Sequence, residues 1–133
     1  MDVFLTENGL LAFSEMALLS RKSRPVGFLA GRLLSGRFYV EVVFPASDED
    51  WTSPDVFFRL DKRAGGRIIG FFLFSHAAAE RRPLAQPHAC GKLVLAVKKR
   101  RSGGPGFKGF IVDYEGRFFF KPVEVVRDKG GRP

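Results

Sequence analysis

Apolar residues recur at helical spacing over residues 6 to 22, and this periodicity predicts an amphipathic N-terminal helix. Thr6 or Asn8 is a suitable N-cap, because a short polar side chain can accept a hydrogen bond from the first helical turn. Pro25 cannot continue the backbone hydrogen bonding, so the helix should end before it.

After Pro25 the chain shows apolar runs and alternating positions, which predict strands separated by turns. The predicted strands comprise residues 26–34, 37–44, 68–74, 92–99, 107–114 and 117–126. Ser35-Gly36 and Glu115-Gly116 are two-residue hairpin signals. The run 68–74 is continuously apolar, which indicates a central strand covered on both faces. The predicted fold class is α+β, a mainly antiparallel sheet with the N-terminal helix packed on it.

Composition indicates one folded domain. The chain has 133 residues, of which 45% are apolar, so it is long enough for a core and is not a disordered sequence. We predict a single domain over residues 1–127 and a flexible, basic, Gly-rich tail over residues 128–133. No apolar run is long enough to cross a bilayer, and the single cysteine, Cys90, excludes an internal disulfide. The expectation is a cytoplasmic protein without a membrane partner.

The net charge of +8 is concentrated in the last third of the chain. Residues 92–133 carry 11 Lys and Arg against 4 Asp and Glu. The densest basic run is followed by Ser, Gly and Pro, which predicts a mobile loop. This basic patch consists of Lys98, Lys99, Arg100 and Arg101. It is either a surface that contacts nucleic-acid phosphates or a solvated loop, and the shortage of neighbouring aromatic residues favours the loop.

A second distinctive loop spans residues 46–55 and surrounds the only tryptophan with acidic residues. The candidates for partner binding in this loop are Asp48, Glu49, Asp50 and Trp51. A large aromatic residue in an exposed loop often anchors an interface. The alternative is that Trp51 folds back over the edge of the core while the acidic side chains are solvated.

The most informative stretch runs from residue 68 to residue 87, where an apolar strand ends in Ser75-His76 and a loop with two prolines follows. This order resembles the JAMM (MPN, JAB) metalloproteases, whose strand ends in His-Ser/Thr-His and is followed by a Ser and an Asp. The corresponding positions in this chain are Phe74, Ser75, His76, Leu84 and Pro87. Phenylalanine and proline offer no side-chain metal ligand, and leucine cannot donate a hydrogen bond. The family's general base, a Glu, also has no counterpart, because no carboxylate lies between residues 21 and 36.

The resemblance implies a strongly bent JAMM/MPN-like sheet and an inactive member of that family. Catalytic zinc needs three protein ligands and an open position, so we predict no catalytic residues, no metal and no cofactor. The implied function is protein interaction or scaffolding, linked to ubiquitin-like conjugation or to a multi-subunit complex. The implied partner is a related JAMM/MPN domain or a ubiquitin-like protein. Phe74 is expected to fill the former metal cleft beside Leu84.

Three alternatives stay open. The chain is a basic nucleic-acid-associated module that uses Lys98–Arg101, or it is a hydrolase with a metal site rebuilt around His76. In the second case His88 and Cys90 would be the further ligands, although a lone histidine at a strand end is more often simply hydrogen-bonded. The third alternative concerns the partner, because 15 Phe in 133 residues favour exposed aromatic surface and hence a homodimer.

Overall fold

The computed structural model describes residues 1–19, 24–47, 50–100 and 104–127. Within these ranges the strands are β1 (Asp2–Leu5), β2 (Val26–Leu34), β3 (Arg37–Pro45), β4 (Ile68–Leu73), β5 (Leu93–Lys98), β6 (Gly106–Tyr114) and β7 (Phe118–Arg127). The helices are α1 (Glu7–Leu19), α2 (Pro54–Arg63) and α3 (Ala78–Arg81), and two 3-10 turns follow at Arg82–Leu84 and Pro87–Ala89. The tail predicted at 128–133 lies outside the described residues.

The strands form a closed barrel in the order β1-β3-β2-β4-β5-β6-β7. Strand β1 pairs in parallel with both β3 and β7, and β4 pairs in parallel with β5. The predicted fold class, an α+β fold with a mainly antiparallel bent sheet, is therefore wrong. The physical reason is β1: this four-residue strand fills the gap between β3 and β7, so the sheet closes on itself instead of ending in free edges.

The predicted hairpins and the central strand are confirmed. Strands β2 and β3 meet at a turn in which Ser35 has φ 50° and Gly36 has φ 77°, the left-handed conformations that suit a tight hairpin. All six residues of β4 are buried, between β2 on one side and β5 on the other. A bulge where β4 meets β2 reverses the alternation along β4, so that Ile69 and Phe71, two positions apart, face opposite sides of the barrel wall.

The wall of the barrel separates two hydrophobic cores. The core on the α1 side consists of Val3, Leu5, Phe13, Leu29, Phe38, Val40, Ile69, Phe72, Phe74, Leu93, Leu95, Val97 and Ile111. The core on the α2 side consists of Phe28, Ala30, Phe57, Ile68, Phe71, Leu73, Leu84, Ala89, Val94, Ala96, Phe110 and Val112. Alternate residues of β4 and β5 contribute to opposite cores, which explains why both strands are apolar throughout.

Helix α1 begins at Glu7, directly after its predicted N-cap. The Thr6 hydroxyl accepts a hydrogen bond from the Gly9 amide at 3.2 Å and donates one to the Val40 carbonyl at 2.7 Å, so it caps the helix and ties it to β3. Phe13 is fully buried in the α1-side core. In the part of the chain that the structure covers, none of the helices has the length and apolar character needed to cross a membrane.

Candidate partner-binding surface

The degraded motif positions do not form a single cleft. Phe74 is buried in the α1-side core, whereas Leu84 is buried in the α2-side core, so the expectation that they lie side by side is wrong. The two residues lie on opposite faces of the barrel wall because the closed sheet separates their clusters. Ser75 closes a local turn, in which its hydroxyl accepts a hydrogen bond from the Ala77 amide at 3.1 Å. Pro87 is exposed at the start of the second 3-10 turn.

The three candidate ligands of the alternative metal site are dispersed. Among the described residues, no three His, Cys, Asp or Glu side chains are placed to hold a metal ion together. His88 packs among aromatic rings, Cys90 is exposed beside Gly91, and His76 lies near the backbone of Gly106. The geometry therefore gives no support to a rebuilt metal site.

Trp51 packs against the protein itself. Its ring lies 6.3 Å from each of the rings of Phe28 and Phe71, in edge-on geometry. Of the two interpretations of the acidic loop, the structure favours the one in which the tryptophan folds back over the core. Asp48 and Glu49 lie outside the described residues, and Asp50 is exposed while its carbonyl accepts the Ser53 amide at 2.8 Å.

Helix α2 begins at Pro54 with a standard cap. The Ser53 hydroxyl accepts a hydrogen bond from the Val56 amide at 3.3 Å, and proline occupies the first turn, where its missing N–H is not needed. At the other end of the helix, the Asp61 carboxylate accepts the Ile68 amide at 3.0 Å. These two contacts fix α2 between the acidic loop and β4.

Gln86 fixes the segment that faces α2. Its side-chain amide donates to the Thr52 carbonyl at 3.1 Å and to the Pro83 carbonyl at 2.6 Å. This bridge joins the loop before α2 to the 3-10 turns, and it holds Pro87 and His88 beside the helix.

An exposed aromatic side chain stands in the groove between these two segments. Phe58 is 58% exposed, although it packs edge-on against Phe57 at 5.3 Å between ring centroids. Pro54, Phe58, Pro87 and His88 line this groove, which has a volume of about 360 Å³. We call it the Phe58 groove. Its lining is almost entirely apolar, and it lies open to solvent.

His88 forms the polar part of the Phe58 groove. Its ring lies 5.4 Å from Phe57 and 6.1 Å from Phe71, and burial lowers the pKa of His88 below its ordinary value. The Thr52 backbone is close enough to offset part of this effect. Both ring nitrogens are buried, and neither reaches hydrogen-bond geometry with any described residue.

A second groove lies along the opposite flank of α2. Its volume is about 270 Å³, and its lining combines apolar residues with Ser47 and two arginines. The apolar lining comes from Phe28, Phe44, Pro45, Ala46, Val56 and Leu60. Arg59 and Arg63, one helical turn apart, stand at its edge, and neither is ion-paired within the described ranges. We call it the arginine groove.

The predicted basic patch is only partly described. Lys98 ends β5 and is exposed, Lys99 is half-buried, and the guanidinium of Arg100 lies over Gly106. Arg101 lies outside the described residues. The patch therefore does not stand apart from the barrel, because at least Arg100 packs against the first residue of β6.

Comparison with known proteins supports the fold and no more. No family model matches the chain, and no curated protein matches it. The solution structure of protein DSY2949 from Desulfitobacterium hafniense, a structural-genomics target, is similar with a TM-score of 0.69. The similarity covers 95% of this chain and 92% of that chain at 22% identity. At this identity the likeness shows a shared fold alone.

The surface around α2 was not identified from the sequence. The sequence patterns assign no role to Phe58, Arg59 or Arg63, because the segment before them is typical of a polar loop. The same patterns present His88 only as a candidate metal ligand. Ser53-Pro54 followed by an acidic residue is a signature of a helix N-terminus, and it would have located α2. A helical projection would then have placed Phe58 away from the buried side of the helix.

Proposed function

We propose that this chain is a non-enzymatic protein-binding domain whose contact surface is α2 with the two grooves along its flanks. The observation that carries the proposal is Phe58, a large aromatic side chain left 58% exposed in a shallow apolar groove. Exposed aromatic anchors beside a pocket are typical of the centre of protein interfaces.

The partner that fits this surface is an acidic segment with apolar side chains. Arg59 and Arg63 provide two positive charges beside apolar residues, and no carboxylate lines either groove among the described residues. Arginine binds carboxylates through a planar fork of donors, so the geometry selects an Asp, a Glu or a terminal carboxylate. The chain's net charge of +8 attracts an acidic partner from a distance.

A random peptide library displayed on phage tests the proposal without knowledge of the natural partner. Selection on the folded protein should enrich peptides that combine acidic residues with aromatic or aliphatic ones. Phe58→Ala should weaken the selected peptides by about 2 kcal/mol or more, the usual cost of truncating an interface anchor. Arg59→Ala and Arg63→Ala should each weaken peptides that carry the acidic residue.

Two matched controls separate this surface from general stickiness. Leu18→Ala removes an apolar side chain that is 74% exposed on α1, and Arg117→Ala removes an exposed charge next to the β6–β7 turn. Both should leave peptide affinity unchanged. If selection yields no enriched sequence, or if the controls weaken binding as much as the α2 variants do, the proposal is wrong.

Two partner hypotheses drawn from the sequence depend on the JAMM/MPN fold. A ubiquitin-like protein or a related JAMM/MPN domain was implied by a fold that the closed barrel does not have, so neither is carried forward. A cytoplasmic location remains part of the proposal because Cys90, the single cysteine, forms no disulfide within the chain. Cell fractionation with an antibody against the protein would test that location.

A further inference from the structure

A third groove lies on the barrel wall beside α3, away from the proposed protein-binding surface. Its volume is about 520 Å³, within the range of small-molecule sites. One part of its lining is positive, with Arg81 and Lys108, and the rest is apolar. The apolar part comes from Phe107, Phe110, Pro122, Val123 and Val125, of which Phe107, Val123 and Val125 also pack against the α1-side core. No carboxylate lines it in the portion of the chain that is described.

Arg81 is held in a fixed position by aromatic stacking. Its guanidinium lies 4.0 Å from the ring centroid of Phe110 and 5.6 Å from that of Phe120. One terminal nitrogen donates to the His76 carbonyl at 3.3 Å. The Nε of Arg81 is buried and has no hydrogen-bond partner among the described residues, while the side chain as a whole is half-buried and lines the groove. A stacked guanidinium loses little further freedom when it binds an anion.

Further cations lie close to His76 and Gly106, beside Arg81. Burial is the main cause that lowers the pKa of His76, and the positive charges of Lys108 and Lys98 lower it further. Lys98 pairs in register with Gly106, over which the Arg100 guanidinium lies. Lys98 and Lys108 project from the same face of the wall. Each lies two positions along its strand from a residue of the α2-side core, Ala96 for Lys98 and Phe110 for Lys108, and residues two apart in a strand share a face.

We infer that this groove binds the phosphate group of a small organic phosphate ester. Arg81 and Lys108 line the groove and bind the anionic group, with Lys98 and Arg100 on the neighbouring strand end. Phe110 and Pro122, which pair in register, accept the organic part. A phosphate presents several acceptor oxygens and close to two negative charges at neutral pH, which matches Arg81 and Lys108 in a groove that no described carboxylate lines. The inference does not depend on the proposed protein partner, because the two surfaces share no lining residue.

AMP and adenosine form a matched pair of probes that differ only in the phosphate. In a ¹⁵N-edited NMR titration at 50 mM salt, AMP should shift the amides of residues around Gly106 and Lys108 and the imidazole of His76. Adenosine at the same concentrations should leave them unchanged, and inorganic phosphate should compete with AMP. Lys108→Ala should weaken AMP about tenfold or more, since it removes a hydrogen bond to a charged group.

Lys121→Ala is the charge-matched control, because Lys121 is an exposed lysine on β7 that does not line this groove. It should change AMP affinity less than twofold. Equal shifts with adenosine, no saturable shift with AMP or phosphate, or equal effects of the two lysine variants would each overturn the inference. Sub-micromolar binding of a 20-nucleotide single strand, with a steep salt dependence and no saturable AMP site, would also overturn it and would support a nucleic-acid surface instead. Lys108 is exposed and outside both cores, so the variant should fold normally.

Discussion

Replacement of Phe13 by Ala tests whether α1 is an integral part of the barrel. The Phe13 ring is fully buried and lies 5.4 Å from the rings of Phe72 and Phe107 and 6.3 Å from that of Phe74. Truncation of a buried Phe to Ala costs about 3–5 kcal/mol, through lost burial and the cavity that remains. A folded domain is stable by only about 5–15 kcal/mol, so this single change should remove a large part of the free energy of unfolding.

The magnitude can be measured by urea and thermal unfolding followed by circular dichroism. For a chain of this length the entropy of unfolding is about 0.3 kcal/mol per degree, so a loss of that size should lower Tm by about 10–18 °C. The control is Leu18→Ala on the same helix, where the side chain is 74% exposed and the expected change is within about 0.5 kcal/mol. A loss below about 1.5 kcal/mol for the Phe13 variant would refute the reasoning, because it would mean that α1 is not locked into the α1-side core.

Three further predictions concern pH and backbone packing. Burial lowers the pKa values of His76 and His88 below 6.5, so urea unfolding should show stability falling from pH 7 to pH 5, where the unfolded chain takes up protons that the folded chain does not; a flat profile would count against this. The Arg37 hydrogen bonds lower the pKa of Asp2 below 3.8, so the pair stabilises the fold above that pH and its contribution is lost as the pH falls through the lower folded value. Asp2→Asn should therefore be less stable than the wild type at pH 7 and converge with it near pH 2. Gly70→Ala should unfold at markedly lower urea concentration, because the added methyl would collide with a backbone carbonyl of β5; an unchanged midpoint would contradict that packing.

The sequence predicted most elements of the barrel but not its closure. The hairpins were recognisable because their turns need glycine or left-handed backbone, and β4 because six consecutive buried positions leave an apolar run. Strand β1 has only four residues, Asp2–Leu5, too few for alternation to stand out. Its role depends on two partner strands that are distant in sequence, which local patterns do not encode.

The candidate sites were less predictable than the elements. The grooves beside α2 and α3 combine residues from segments that only the folded barrel brings together, such as Phe58 with His88 and Arg81 with Lys108. Motif spacing around His76 suggested that Phe74 and Leu84 share one cleft. Strand β4, which precedes His76, instead forms part of a wall whose two faces contact different cores. Spacing along the chain therefore located a strand end correctly and said nothing reliable about what surrounds it.

The closing strand also has a consequence for how the chain reaches its fold. Asp2 lies in register with Glu124, so the last junction of the barrel joins residues that are 122 positions apart. Loop-closure entropy opposes such a distant contact, and topologies rich in distant pairings fold slowly. Until β7 has been synthesised and docked, the edge of β1 that it will cover remains open to pairing with other chains. The period between emergence of β1 and arrival of β7 is therefore when this protein is most exposed to aggregation, and a chaperone that shields the N-terminal segment would act at that stage.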